Sequence, residues 1–294
     1  MTNEKTDSLD ALIAQAGALL SRLEAVLPPS AAPTDWQASI AFRYRKRGNV
    51  GTIEPVRHVA TIRLNDLKEV EPQKQRLVRN TQQFVTGRAA NNVLLTGARG
   101  TGKSSLIKAC LNQFAAQGLR LIEVDKNDLV DLPDIVDVVA ERPERFIVYC
   151  DDLSFDEGEP GYKALKSMLD GSVAQASENV LIYATSNRRH LLPEYMAENL
   201  TYTHTEDGEV HPGEVVEEKI SLSERFGLWV SFYPFTQGEY LAIVAQWLRH
   251  FGIDDAARIE AARPEALIWA LERGSRSGRV AYQFARDFSG RDGG

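Results

Sequence analysis

The stretch Leu94–Cys110 reads LLTGARGTGKSSLIKAC. Gly97, Gly102, Lys103 and Ser104 satisfy the spacing G-x-x-x-x-G-K-[ST], set between an apolar run and an amphipathic one. Glycines at such positions let successive backbone N–H groups curl inward around phosphate oxygens. The N-terminus of the helix that follows adds unpaired donors and the positive end of its dipole. Lys103 is placed to reach β- and γ-phosphates, and the Ser104 hydroxyl to ligate Mg²⁺. Gly97, Ala98, Arg99, Gly100, Thr101, Gly102, Lys103, Ser104 and Ser105 are therefore the expected binding loop for ATP with Mg²⁺. A glycine-rich turn without a ligand would leave Lys103 unexplained at a crowded helix start.

Two further strand ends carry polar residues suited to the same ligand. The apolar run FIVYC (Phe146–Cys150) ends in Asp151-Asp152. A carboxylate at the carboxyl end of a strand beside the loop can hold Mg²⁺, a role expected of Asp151. The next carboxylate, Asp152, can orient or deprotonate an attacking water. The run VLIYAT (Val180–Thr185) leads into Ser186-Asn187, and the Asn187 amide is a candidate contact for the γ-phosphate or that water. Taken alone, Asn187 would be an ordinary turn residue. Asp156, Glu157 and Glu159 read as a solvated loop, and Arg188 and Arg189 as surface charges.

These groups need a scaffold, and the hydrophobic pattern supplies one. Short apolar strands at Asn92–Thr96, Leu119–Val124, Arg145–Cys150, Val180–Thr185 and Leu228–Tyr233 alternate with helical stretches. That alternation implies a five-stranded parallel sheet covered on both faces, an α/β fold; the Gly97–Ser104 loop, set between a strand and a helix, makes the expected fold one of the P-loop NTPase kind. From Pro234 the pattern is helical only, with Leu241, Val244, Leu248, Leu267, Ile268 and Leu271 as core candidates of a small lid. At the other end, apolar residues from Leu9 to Leu27 follow helical spacing. The linker PPSAAPTD comes next, then Arg43, Arg45, Lys46 and Arg47 interleaved with Phe42 and Tyr44. The expected divisions are an N-terminal helical and basic segment at 1–50, the nucleotide-binding core at 51–233 and the helical lid at 234–294.

Composition narrows the function classes. The chain has 294 residues and a net charge of −7, which argues against wholesale coating of nucleic acid. The basic cluster near Arg43–Arg47 leaves local nucleic-acid contact open, against the alternatives of a solvated helix face or pairing with acidic neighbours. Cys110 and Cys150, both in apolar segments, read as buried free thiols in a reducing compartment. The N-terminus lacks a secretory signal and no apolar run approaches a membrane span, so the expected location is cytoplasmic.

Taken together, GARGTGKSS, FIVYCDD and ATSN resemble the Walker A, Walker B and first-sensor motifs of an AAA+ ATPase. SLSERFGLWVSF is similar to the arginine-finger segment of that family, and SGRVAYQFARDF to the second sensor of its helical lid. More narrowly, NNVLLTGARGTGKSS, CDDLSFDEGE, YKALKSMLDG, ATSNRRHL and SERFGL resemble an uncharacterised bacterial AAA+ family known mainly as a domain of unknown function. The resemblance covers roughly residues 50 to 289. It implies that Arg225 enters a neighbouring subunit's site and offsets charge on the γ-phosphate; the alternative is a salt bridge with Glu217 or Glu218. It also implies that Arg279, with Arg276 as rival, adds donors to the phosphates from the lid. Two departures stand out. Asp152 occupies a position where most AAA+ proteins have glutamate. The region DKNDLVDLPDI lacks the aromatic–apolar–glycine loop of protein-threading motors, and Tyr162 of PGYK is either a pore residue or helix-start packing.

The expected activity is Mg-dependent ATP binding and hydrolysis by an oligomeric switch or remodeller acting on an unidentified protein client. The expected assembly is a homo-oligomeric ring, with a hexamer as one form to test. A DNA-associated loader or regulator, and a nucleotide-gated scaffold with little turnover, are the alternatives. The polar segment Asn199–Glu218 reads as a loop that orders on assembly or partner contact.

Overall fold

A computed structural model describes residues 15–18, 33–48, 50–155, 159–170, 177–187, 203–204, 210–211 and 222–291. The chain divides into two compact units, Met1–Thr34 and Asp35–Gly294. In the first, residues 15–18 are helical; the remainder of the helix expected over Leu9–Leu27 lies outside the described residues.

The second unit is built on a seven-stranded sheet. Its strands are β1 (Ala41–Arg47), β2 (Val50–Pro55), β3 (Val93–Gly97), β4 (Leu119–Glu123), β5 (Arg145–Cys150), β6 (Val180–Ser186) and β9 (Leu228–Phe232). Their order is β2-β1-β4-β5-β6-β3-β9. Every pairing is parallel except β1 with β2. The two remaining strands, β7 (Thr203–His204) and β8 (Val210–His211), form a separate antiparallel pair. The rest of the Asn199–Glu218 segment lies outside the described residues.

Five strands are those the apolar runs predict, and the sheet exceeds that expectation by two. The additional strands are β1, formed by the basic stretch expected in an N-terminal helical segment, and β2, antiparallel beside it. The period-2 pattern of β1 explains this: Phe42 and Tyr44 are buried while Arg43 and Arg45 face out. Trp36 packs on Phe42 and Phe146 with ring centroids 4.7 and 5.0 Å apart, which anchors the strand to the core. The cations are matched by acids of the same unit: Arg43 with Glu123 at 2.6 Å, Lys46 with Asp131 at 2.8 Å, Arg47 with Glu54 at 3.0 Å. Of the three readings of this cluster, pairing with acidic neighbours is the arrangement observed.

Helices cover both faces. Helix α1 (Glu71–Val85) and α2 (Lys103–Phe114) pack through Leu77, Phe84, Leu106 and Ile107 against Val93, Leu95, Ile147 and Tyr149. Helix α3 (Leu132–Val139) and α4 (Pro160–Asp170) pack through Ile135, Val136 and Leu165 against Leu94, Phe146 and Val148 on the other face. Alternate residues of one strand thus enter opposite cores, as the period of two requires. Tyr183, central in β6, is buried and bonded to the side chains of Asn80 and Thr81 at 3.1 and 2.9 Å, tying α1 to the sheet. Cys110 and Cys150 are buried free thiols.

Three helices follow: α5 (Gln237–His250), α6 (Ala256–Glu272) and α7 (Gly278–Gly290). Thr236 caps α5 in a reciprocal box with Glu239. Leu241, Val244 and Leu248 are buried, but Ile268 and Leu271 are 58% and 82% exposed, so those two are surface residues rather than core. The apolar residues of α6 run round the helix instead of along one stripe, and position in sequence misassigns them. No described helix is long and apolar enough to cross a membrane.

The end of β3 shows how tightly these elements meet. Gly97 pairs with Phe232 of β9, adopts φ of 128°, and a Cβ there would run into the Phe232 carbonyl oxygen. Gly118 also has positive φ, but open space surrounds it. Gly97→Ala is expected to cost about 3 kcal/mol or more, since strain adds to the clash. Gly118→Ala should cost only about 1–2 kcal/mol. Urea unfolding of the two variants measures the difference.

Candidate active site

The parallel register brings the chemistry-bearing residues to one edge of the sheet. Because Cys150 lies opposite Ala184, Asp151 lies beside Thr185. Because Thr96 lies opposite Ser186, Asn187 lies beside Gly97. Helix α2 starts at Lys103 immediately after the glycine loop, which points its first turn at the same place.

Lys103 is only 6% exposed. Its ammonium donates to the carbonyls of Gly97 at 2.6 Å and Ala98 at 2.8 Å, and to Asn187 Oδ1 at 3.0 Å. Burial pushes its pKa below the ordinary lysine value, and the charges of Asp152 and Asp151 oppose that shift. Asp151 Oδ1 accepts from Ser104 Oγ at 2.7 Å and from Thr185 Oγ1 at 2.5 Å. Desolvation raises the Asp151 carboxyl, but the hydrogen bonds from Thr185 and Ser104, with smaller help from the nearby Tyr149 hydroxyl and the Lys108 charge, outweigh it and leave the pKa below the usual aspartate value.

Thr185 was not singled out by sequence reasoning, yet it organises both acids. Its hydroxyl donates to Asp151 and accepts from the Asp152 backbone N–H at 2.9 Å. The Leu153 N–H bonds the Thr185 carbonyl at 2.6 Å. Between these ties Asp152 adopts φ of 53°, a left-handed conformation that costs a non-glycine residue energy. The turn delivers its carboxylate to the Asn187 amide, which donates to Oδ1, and to Arg99, 3.6 Å from Oδ2. Asn187 therefore bridges Lys103 and Asp152. The signal for Thr185 was present only as a hydroxyl at the end of a strand; its partner strand is not readable from that run.

A second overlooked residue is Tyr149 of β5, two before Asp151, which follows the strand. It is fully buried, and its hydroxyl lies by Ser104, Asp151 and Thr185 without a properly aligned hydrogen bond. Burial first, and then the Asp151 charge, push that hydroxyl far above the usual phenol range.

These groups line a cavity of about 600 Å³. Arg99 to Ser105, Asp151, Asp152, Thr185 and Asn187 form its polar end. Ile62, Leu67 and Val70 make one apolar wall, and Ile243, Trp247 and Tyr282 of the three-helix unit make the other. Trp247 and Tyr282 meet edge to face at 4.9 Å. Gly97 and Ala98 reach the site through their carbonyls. Arg279 lines the cavity, whereas Arg276 lines a separate groove with Leu267 and Leu271. The Gly278 N–H bonds the Gly100 carbonyl at 2.8 Å, so the start of α7 is attached to the loop.

Arg225 is not among the cavity residues. Its guanidinium pairs with Asp170 at the end of α4; Glu217 and Glu218 lie outside the described residues. Tyr162 is buried edge to face against Phe155 at 5.7 Å, which makes it a packing residue of α4. Glu159 pairs with Lys126 at 3.4 Å. Asp156, Glu157, Arg188 and Arg189 lie outside the described residues. Among the described residues no group of three or more His, Cys, Asp or Glu side chains is placed to hold a metal ion by itself.

With this geometry established, comparison with known proteins identifies the family. The family described as "Protein of unknown function (DUF815)" matches residues 37–292. The chain belongs to this family. No protein with a curated description matches it. The Thermotoga maritima RuvB Holliday junction branch migration motor is similar in structure at 15% identity, with a TM-score of 0.50 over 78% of this chain and 64% of that one. A variant of the same motor aligns at 16% identity and the same TM-score, over 76% and 64%. The chain thus spans 64% of the length of these RuvB structures. The AAA domain of FIGL-1 in complex with ADP also aligns, at 16% identity over 76% of this chain and 70% of that one, with a TM-score of 0.46. This member of the DUF815 family has the α/β fold of AAA+ P-loop NTPases.

The double role of Thr185 can be tested in the unliganded protein. Thr185→Val keeps the shape but leaves the Asp152 N–H without its acceptor, and is expected to cost about 1–3 kcal/mol in urea unfolding. Thr185→Ser keeps the hydroxyl and should lose only about 1 kcal/mol, the worth of one methyl group.

Proposed function

We propose that the protein binds ATP with Mg²⁺ and hydrolyses it, acting as an oligomeric AAA+ switch or remodeller of a client protein. The observation that carries this reading is the convergence of Lys103, Ser104, Asp151 and Asp152 on one end of a single cavity. The buried Lys103 ammonium is hydrogen-bonded to neutral oxygens only, and charged phosphate oxygens are stronger partners for it. The cavity has apolar walls, Ile62, Leu67 and Val70 on one side and Trp247 and Tyr282 on the other, suited to a nucleobase.

The donors fit magnesium. Ser104 and Asp151 offer two hard oxygens in mutual contact, and the buried Tyr149 hydroxyl beside them lacks a partner. Mg²⁺ typically takes one or two protein oxygens plus phosphates and water rather than an all-protein cage. Bound there, the ion would offset charge on the phosphates. Lys103 would turn from the Gly97 and Ala98 carbonyls to the phosphates. Asp152, steered by Asn187, would orient the attacking water and accept its proton. Arg279 would add its fork of donors from the start of α7, a role its place in the cavity favours over Arg276. Arg225 would act in a neighbouring copy's site after releasing Asp170, which makes turnover depend on assembly. The pairing of Arg43, Lys46 and Arg47 with acids weakens the DNA-associated alternative.

Equilibrium binding of a fluorescent ATP analogue and steady-state hydrolysis test this assignment. Lys103→Ala should weaken binding by about 100-fold or more, the scale of losing a charge-assisted phosphate contact in a desolvated site. Asp152→Asn should bind normally and hydrolyse about 10²-fold more slowly, the usual worth of a general base. The wild-type turnover number should rise with protein concentration. Normal hydrolysis by Asp152→Asn would remove Asp152 as base, and binding without turnover at every concentration would favour the nucleotide-gated scaffold.

A further inference from the structure

Tyr149 sits where a phenylalanine would pack equally well. It lies in β5 two residues before Asp151, which follows the strand. The ring belongs to the core formed with Leu106 and Ile107 of α2 and is fully buried. The hydroxyl points away from those apolar neighbours toward Ser104, Asp151 and Thr185 and lies close enough to interact with each, yet it makes no hydrogen bond of full geometry. A buried hydroxyl without a partner is destabilising, so its presence calls for a state in which it has one. Asp151 has room to supply that state: both of its side-chain hydrogen bonds fall on Oδ1.

We infer that Tyr149 is a positioning residue for the metal site, donating its hydroxyl hydrogen to the Asp151 carboxylate once a divalent cation is held by Ser104 and the nucleotide. The inference rests on the proposed nucleotide reading and extends it to a residue outside the loop. In the unliganded protein Ser104 and Thr185 share Oδ1. A cation held by Ser104 would draw that hydroxyl away from Oδ1, and the Asp151 carboxylate would then need another donor to keep it aimed at the ion. Tyr149, rigidly packed below it, fixes that orientation from the protein side. Groups that orient metal ligands in this way commonly change metal affinity by one or two orders of magnitude when removed. Tyr149 is not among the residues lining the cavity, so its hydroxyl is expected to contribute nothing to nucleotide affinity in the absence of metal.

The test is a Mn²⁺ titration of the full chain saturated with ADP, followed through the electron paramagnetic resonance signal of free Mn²⁺, for wild type and Tyr149→Phe. ADP affinity in EDTA and thermal unfolding are measured alongside. In the variant the Mn²⁺ dissociation constant should rise by about tenfold. Its ADP affinity in EDTA should stay within twofold, and its unfolding temperature without ligand should be unchanged or higher. Equal Mn²⁺ affinity in a folded variant overturns the role given to Tyr149 and leaves the nucleotide reading intact. A parallel loss of metal-free ADP affinity also overturns it, because the hydroxyl would then only support the loop. Wild type that takes up no Mn²⁺ with ADP overturns the nucleotide reading and this inference with it.

Discussion

Parallel hydrogen bonding among β3, β5 and β6 is the constraint on which the site depends. Parallel strands end at the same edge, so the residue after each strand is carried to a common point whatever its distance in sequence. Gly97 ends β3 and the loop from Ala98 follows it, Asp151 and Asp152 follow β5, and Asn187 follows β6. A slip of one residue in any pairing would turn Asp151 or Thr185 to the opposite face and empty the site of its chemistry. The apolar runs in these strands are therefore part of the function: Val93, Leu95, Ile147 and Tyr149 on one face and Leu94, Phe146 and Val148 on the other hold the register by being buried twice over.

Charge is arranged with the same economy. Lys103 is almost fully buried, and two aspartates stand near it without a direct ion pair between Lys103 and either carboxylate. The ammonium is satisfied by carbonyls and by Asn187, and the acids by hydroxyls, an amide and Arg99. An ion pair locked between Lys103 and Asp151 would have to be broken before phosphate could enter; neutral partners are easier to exchange. The hydrogen bond from Gly278 to Gly100 attaches the start of α7 to the loop, next to Arg279 and within the same cavity as Trp247 and Tyr282.

Much of this was legible in the sequence, for physical reasons that can be named. The loop was readable because its glycines, lysine and serine fall on a spacing that few other structures need. The five parallel strands were readable because strands buried on both faces are unbroken apolar runs. Charge masks the alternation of strand β1: Phe42 and Tyr44 carry the period, but the four cations around them suggest a solvated or nucleic-acid-binding surface. Ile268 and Leu271 were misread because an apolar residue in a helix carries no statement of which side is covered. Thr185 and Tyr149 escaped notice since their roles exist only once β5 and β6 are set in register. Nothing within the run VLIYAT states that its threonine will meet an aspartate 34 residues earlier.

In the proposed function, Ser104 and Asp151 face a metal–nucleotide pair inside one cavity. Diffraction at the manganese absorption edge, from crystals grown with Mn²⁺ and a non-hydrolysable ATP analogue, tests that claim most directly. The expected result is a single anomalous peak in coordination contact with Ser104 Oγ and facing the Asp151 carboxylate, with the analogue's phosphates against Lys103. An analogue bound elsewhere, or a cavity that holds phosphates with no metal at the Ser104–Asp151 pair, would contradict it.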